Sequence, residues 1–179
     1  MKIVFMGTPD FAEKSLEAIY NSGHEILAVV TNPDRPTGRG MKMGSSPVKE
    51  FAVSKNLKIY QPEKVRKNIE FIEEIKKLQP DVICVVAYGK ILPKEILDIP
   101  RLGCINVHGS LLPKYRGAAP IQWAVINGEK ITGITTMYMD VGMFLLMDIF
   151  KALIFLKIYK KRLKKTYLLK KHCTRIIQD

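Results

Sequence analysis

Short apolar runs alternate with stretches of helical spacing along the first 140 residues. Lys2-Ile-Val-Phe-Met6 is β-branched and apolar and predicts a strand ending at Gly7, after which Phe11, Leu16, Ile19 and Tyr20 recur at helical spacing. His24 to Val30 predicts a second buried strand, and the Gly-, Pro-, Lys- and Arg-rich stretch from Thr31 to Ser46 predicts a long loop. A helix is expected from Pro47 to Lys55, and an amphipathic one from Ile69 to Leu78, halted by Pro80. Asp81 to Ala87 is a near-continuous apolar strand, the kind that a parallel sheet buries on both faces. A short helix near 93–97, a strand over 103–108, a helix over 119–127 and a strand over 133–139 complete the series. This alternation predicts an α/β fold: a doubly wound, mostly parallel sheet with helices on both faces and ligand sites beyond the C-terminal strand ends.

Charge changes the picture less than its total suggests. The net charge is +12, but residues 151–179 hold 10 Lys and Arg against one acid, leaving 19 bases and 16 acids before them. The body therefore carries +3 and the tail +9, so global charge alone says little about nucleic acid. The apolar run Ile3–Met6 is broken at once by Gly7, Thr8 and Pro9, far too short for a secretory signal or a membrane span; a cytoplasmic protein is expected. Cys84, Cys104 and Cys173 lack metal-type spacing, and the first two read as buried structural thiols.

The densest candidate chemistry stands where the strand over 103–108 runs out. Residues two apart in a strand share a face, so Asn106, His108 and Ser110 can converge on one pocket. An amide N–H and an imidazole can stabilise the oxyanion of acyl transfer without a covalent intermediate. Taken alone, a histidine at a strand end is more often structural. Arg35, Arg39, Lys42 and Lys49, set among glycines, suit phosphate contacts, although as a charge run alone they read as a solvated loop. Gly7-Thr-Pro9 can offer free N–H groups to an anion, a common turn with little specificity. No G-x-G-x-x-G or Walker loop is present, which disfavours a dinucleotide or ATP enzyme.

The string Asn106-Val-His108-Gly-Ser110-Leu-Leu-Pro-Lys-Tyr-Arg-Gly117-Ala-Ala-Pro120-Ile, with Ile126-Asn-Gly-Glu129 and Thr132 to Asp140 after it, resembles the formyltransferases that use 10-formyltetrahydrofolate. The resemblance spans residues 1–142 and implies a Rossmann-like formyltransferase fold, with Asn106 and His108 catalytic. It implies that Ser110, Leu111, Leu112 and Pro113 help hold the folate, and that the turn carrying Tyr88, Gly89, Ile91 and Leu92 buries the pterin; the bland reading of that turn is a strand-to-helix connection. Met6-Gly-Thr-Pro-Asp-Phe11 and the basic stretch from Asn32 to Lys49 are similar to the methionyl-tRNA branch of the family. That branch implies initiator methionyl-tRNA as partner, with Arg35, Arg39, Lys42 and Lys49 on its acceptor stem, a monomer, and neither metal nor membrane.

The match breaks after Gly142. The family continues there with Leu-Asp-Thr-Gly-Asp, whose first Asp is catalytic, whereas this chain has Met143-Phe-Leu-Leu-Met-Asp148. Asp140 and Asp148 lie nearby but outside the motif, so impaired transfer is expected. Residues 143–179 read as a divergent basic tail, of the kind a frameshift produces or an amphipathic basic helix provides, and the family's C-terminal β-barrel, which helps grip tRNA, has no counterpart in them. Two other readings stay open: a formyltransferase acting on a sugar nucleotide or purine precursor, and a non-catalytic remnant that binds folate or nucleic acid.

Overall fold

The computed structural model describes residues 1–37, 42–140 and 144–145. The chain divides into two compact units: Met1–His108 with Tyr138–Leu145, and a second whose described part is Gly109–Met137.

The first unit is built on a parallel sheet. Strands β1 (Lys2–Gly7), β2 (Glu25–Val30), β5 (Ile59–Tyr60), β6 (Val82–Val86) and β7 (Cys104–His108) stand in the order β5-β2-β1-β6-β7, followed by β8 (Thr135–Met139) and β9 (Phe144–Leu145). The pairs β5–β2, β2–β1, β1–β6 and β6–β7 are parallel, and β8–β9 is antiparallel through Tyr138↔Leu145 and Met139↔Phe144. The apolar runs are there because both faces are covered. Val4 and Met6 of β1, Ile83 and Val85 of β6 and Cys104 of β7 form one core with Phe71 and Ile75 of α3 (Ile69–Lys77) and Ile96 of α4 (Lys94–Leu97). The alternate residues Ile3 and Phe5 turn to the other face, also fully buried, where α1 (Asp10–Tyr20) lies on β1 and β6 and α2 (Pro47–Ser54) on β2. The two helices meet through Tyr20 and Phe51, edge to face at 5.9 Å.

Helix starts follow local chemistry. The Ser46 hydroxyl accepts from the Lys49 N–H at 3.1 Å with Pro47 in the first turn, and the Asn68 side chain accepts from the Phe71 N–H at 3.1 Å. Cys84 and Cys104 sit on adjacent strands, but Cys104 is in register with Ile83, so the two thiols point to opposite faces. Burial pushes each thiol up to about 12, which makes both inert.

One expectation needs correction. The stretch from Thr31 to Ser46 is not a bare loop: β3 (Arg35–Thr37) and β4 (Lys42–Gly44) pair antiparallel, Arg35 with Gly44 and Pro36 with Met43. Strands of three residues are too short to show alternation, and their Pro and Gly read as breakers. The helix expected over 119–127 is α5 (Pro120–Ile126), since Ala119 caps it with a left-handed φ of 55°. The strand expected from Gly133 begins at Thr135.

In the second unit, hydroxyls organise the turn before α5. Ser110 Oγ donates to the Lys114 carbonyl at 2.7 Å, Thr135 Oγ1 donates to the Ser110 carbonyl at 2.8 Å, and the Leu112 N–H donates to Thr135 Oγ1 at 3.1 Å. Glu129 accepts from Lys114 Nζ at 2.9 Å and from the Tyr115 hydroxyl at 2.7 Å.

Gly7 ends β1 where no side chain fits: a Cβ there would stand 2.7 Å from Ala12 Cβ and 2.8 Å from the Val86 carbonyl oxygen. Gly7→Ala should therefore cost about 1–3 kcal/mol, read as a lower urea midpoint at unchanged slope. An unmoved midpoint would mean that the contact relaxes without strain. Tyr88 is the opposite case, with a buried hydroxyl that meets no hydrogen-bond partner among the described residues. Tyr88→Phe should leave stability unchanged or raise it by up to about 1 kcal/mol, because only a desolvated polar atom is lost. A lowered midpoint would show that the hydroxyl is satisfied in solution.

Candidate active site

Strand β1 lies between β2 and β6, and the chain leaves it for β2 on one side while β6 and β7 follow on the other. In a doubly wound sheet this reversal opens a crevice at the carboxyl ends of the strands. Thr8, Asn32 and Tyr88, each just beyond one of these strands, are brought together there. Asn32 Nδ2 donates to Thr8 Oγ1 and to the Tyr88 carbonyl, both at 3.1 Å.

On β7, Asn106 is in register with Val85, which places Asn106 and His108 on the sheet face that carries α3 and α4. Asn106 is half-buried and its side-chain amide makes no hydrogen bond among the described residues; His108 is buried. Tyr88 and Leu92 are buried in the core of the same face. The expected pterin turn thus brings its two large residues to the side of the sheet where Asn106 and His108 stand.

The turn itself is shaped by two left-handed residues, Ala87 (φ 45°) and Gly89 (φ 76°), which alternate exposed with buried Tyr88. Burial raises the Tyr88 hydroxyl well above its ordinary pKa, so it stays protonated. Ile91 is 74% exposed and Leu92 is buried. Lys90 Nζ donates to the Pro62 and Glu63 carbonyls at 2.6 and 3.0 Å, tying the turn to the segment after β5. Its pKa is lowered, by burial first and by the Arg35 charge, against an opposing effect of Glu63.

The expected phosphate contacts separate. Arg35 is exposed on β3. Lys42 lies in the backbone of β4, and Arg39 lies outside the described residues. Lys49 is already engaged in an ion pair with Asp34, whose other oxygen accepts from Gln61 Nε2 at 2.9 Å. Lys49 and then Gln61 hold the Asp34 carboxyl below the usual carboxylate range. Gln61 Nε2 also reaches the Asn32 carbonyl at 2.9 Å, and the Thr31 and Ser46 hydroxyls bond each other at 2.8 Å. Asn32, Asp34, Gln61 and Lys90 were not anticipated. They are ordinary surface types, and only the fold joins positions 27 to 56 residues apart.

In the second unit Ser110 is fully buried, and its hydroxyl donates to the Lys114 carbonyl. Leu111 and Pro113 are exposed, and Leu112 is half-buried. A cavity of about 360 Å³ is lined by Leu111, Lys114, Tyr115, Glu129, Ile131 and Thr132. Among the described residues no cluster of three or more His, Cys, Asp or Glu can hold a metal, and no helix is long and apolar enough to cross a membrane.

Comparison with known proteins identifies the family. The chain is 64% identical over 143 residues to a methionyl-tRNA formyltransferase of Caldanaerobacter subterraneus subsp. tengcongensis and 66% identical to that of Clostridioides difficile. Each alignment covers 80% of this chain and 46% of the relative, so the chain spans about half the length of the curated relatives it matches. Among solved structures, the phosphoribosylglycinamide formyltransferase of Bacillus halodurans superposes with a TM-score of 0.63 at 19% identity, covering 89% of this chain and 88% of that one, a likeness of fold. The formyl transferase family is matched by residues 1–144, the stretch that holds the sheet, the crevice and the Asn106–His108 pair, and the chain belongs to that family.

Proposed function

We propose that residues 1–142 form the catalytic domain of a methionyl-tRNA formyltransferase, which moves a formyl group from 10-formyltetrahydrofolate to the α-amino group of initiator methionyl-tRNA, and that turnover by this chain is impaired. The observation that carries the reading is the placement of Asn106 and His108 at the end of β7, on the sheet face of the Tyr88–Leu92 turn, in a chain above 60% identical to enzymes of that name. The turn suits a reduced pterin: Ala87, Gly89 and Ile91 are exposed, and the buried Tyr88 hydroxyl has no partner among the described residues. The basic hairpin β3–β4 suits a phosphate backbone. This reading implies a cytoplasmic monomer that needs no metal.

The folate supplies the formyl carbon, activated as an amide on its N10 nitrogen. The neutral α-amine of methionyl-tRNA attacks that carbon, so a C–N bond forms as negative charge grows on the formyl oxygen. The Asn106 amide can donate to that oxygen, and a His108 ring N–H can donate beside it. The amine then passes a proton to water, the C–N10 bond breaks, and N10 takes up a proton from His108 or from water. What this chain lacks is the family's Leu-Asp-Thr-Gly-Asp after Gly142, whose first carboxylate orients the imidazole and takes the amine's proton. Neither Asp140 nor Asp148 stands in that motif.

The missing motif favours a second reading, a folate-binding domain without turnover. Calorimetry with a 10-formyltetrahydrofolate analogue beside a formylation assay separates the two, and a folded chain that binds no folate overturns both.

Replacing Met143–Met147 by Leu-Asp-Thr-Gly-Asp should raise formylation by on the order of a hundredfold or more at similar folate affinity, since a positioned proton-transfer group contributes about 10² to 10⁴. If the unaltered chain already turns over at about 1 per second, the motif is dispensable and another carboxylate does its work. For the hairpin, Arg35→Ala and Arg39→Ala should each weaken tRNA binding and flatten its salt dependence by about one unit of slope, with folate affinity unchanged. Unaltered slopes would remove the hairpin from the tRNA site.

A further inference from the structure

The base of the basic hairpin is fastened on both sides. The Thr31 and Ser46 hydroxyls, 2.8 Å apart, join the residue that enters the hairpin segment to the N-cap of α2, which follows it. One layer further along, Asp34 just before β3 pairs with Lys49 in the first turn of α2. Both side chains are about three-quarters buried, at 26% and 23% exposure, which distinguishes this pair from the other, more exposed ion pairs among the described residues. Gln61 Nε2 closes the arrangement by reaching both Asp34 Oδ1 and the Asn32 carbonyl at 2.9 Å. Asn32 then bolts the hairpin's entry to Thr8 after β1 and to the Tyr88 carbonyl in the turn after β6.

We propose that Asp34, Lys49 and Gln61 form a latch that sets the basic hairpin against the carboxyl edge of the sheet, and that Lys49 is a positioning residue of this latch and not itself a contact to an RNA phosphate. A cation whose charge is spent on an adjacent, partly buried carboxylate releases no counterion from RNA when RNA arrives, whereas exposed Arg35 can. Through Asn32 the latch also holds the Tyr88 turn, so hairpin and turn are aligned by the same few bonds. The role in RNA binding rests on the proposed function; the latch itself does not.

Two measurements on the full 179-residue chain keep these apart. Hydrogen exchange of the β3–β4 amides reads the latch without any ligand: Asp34→Ala and Lys49→Ala should each speed it about tenfold, the effect of losing a charge-assisted hydrogen bond. The double variant should match Asp34→Ala, which already removes the carboxylate that Lys49 pairs with, so adding Lys49→Ala changes little. Unchanged exchange, or independent multiplying effects, would overturn the latch. Filter binding of initiator methionyl-tRNA across a salt series then tests the role of Lys49. Lys49→Ala should lower affinity severalfold at an unchanged salt slope, while Arg35→Ala flattens the slope by about one. A slope flattened equally by Lys49→Ala would make it a phosphate contact and sink the positioning role. Absence of tRNA binding by the unaltered chain would overturn the role in RNA binding together with the proposed function, and the exchange result would still decide the latch.

Discussion

Strand β1 is hydrogen-bonded along both edges and buried on both faces, and most of the first unit is placed by that fact. Its residues Ile3 to Met6 have no exposed surface, and their alternation sends Val4 and Met6 to the α3–α4 core and Ile3 and Phe5 to the α1–α2 side. The cost of burying a strand's backbone is met only if β2 and β6 satisfy every N–H and C=O, which fixes their register. The close approach at Gly7 is where this constraint is tightest, since α1, β1 and β6 converge there within the radius of a methyl group. A crevice follows at the carboxyl end, because the chain must leave β1 toward one side and β6 toward the other.

Polar groups at that edge are satisfied mainly by one another. Asn32 serves three partners through its amide and its backbone carbonyl, and Gln61 serves two through one nitrogen. Such shared bonds are worth more where water is partly excluded, and leaving any partner unpaired is costly. The edge is accordingly held in one arrangement. Its two loose ends, the Tyr88 hydroxyl and the Asn32 side-chain oxygen, are both buried and both lack partners among the described residues.

The second unit is held differently. Its turn depends on two hydroxyls, Ser110 and Thr135, and on the Lys114–Glu129–Tyr115 cluster, while Trp123, Val125 and Ile126 of α5 remain about half or more exposed. Little apolar area is buried by the described part of this unit, so its order rests on specific hydrogen bonds and not on a core.

The sequence alone determined the kind of fold and the order of its elements. Val82–Val86 is a short, β-branched apolar run bounded by turn residues, which suits a strand covered on both faces, and the spacing of Phe71 and Ile75 suits the buried stripe of a helix. It also determined that Asn106 and His108 share a face of β7, because a two-residue strand period is local. Family membership was legible in the string from Asn106 to Ile121 for the same reason, being contiguous. What only the tertiary structure decided is everything that depends on residues far apart in the chain. Nothing in the sequence pairs Lys49 with Asp34 or directs the Ser110 hydroxyl to the Lys114 carbonyl; the fold does both. The hairpin was hidden because strands of three residues carry no period. Periodicity reports which face of an element is buried; it carries no information about which polar group on a neighbouring element will arrive to claim a charge.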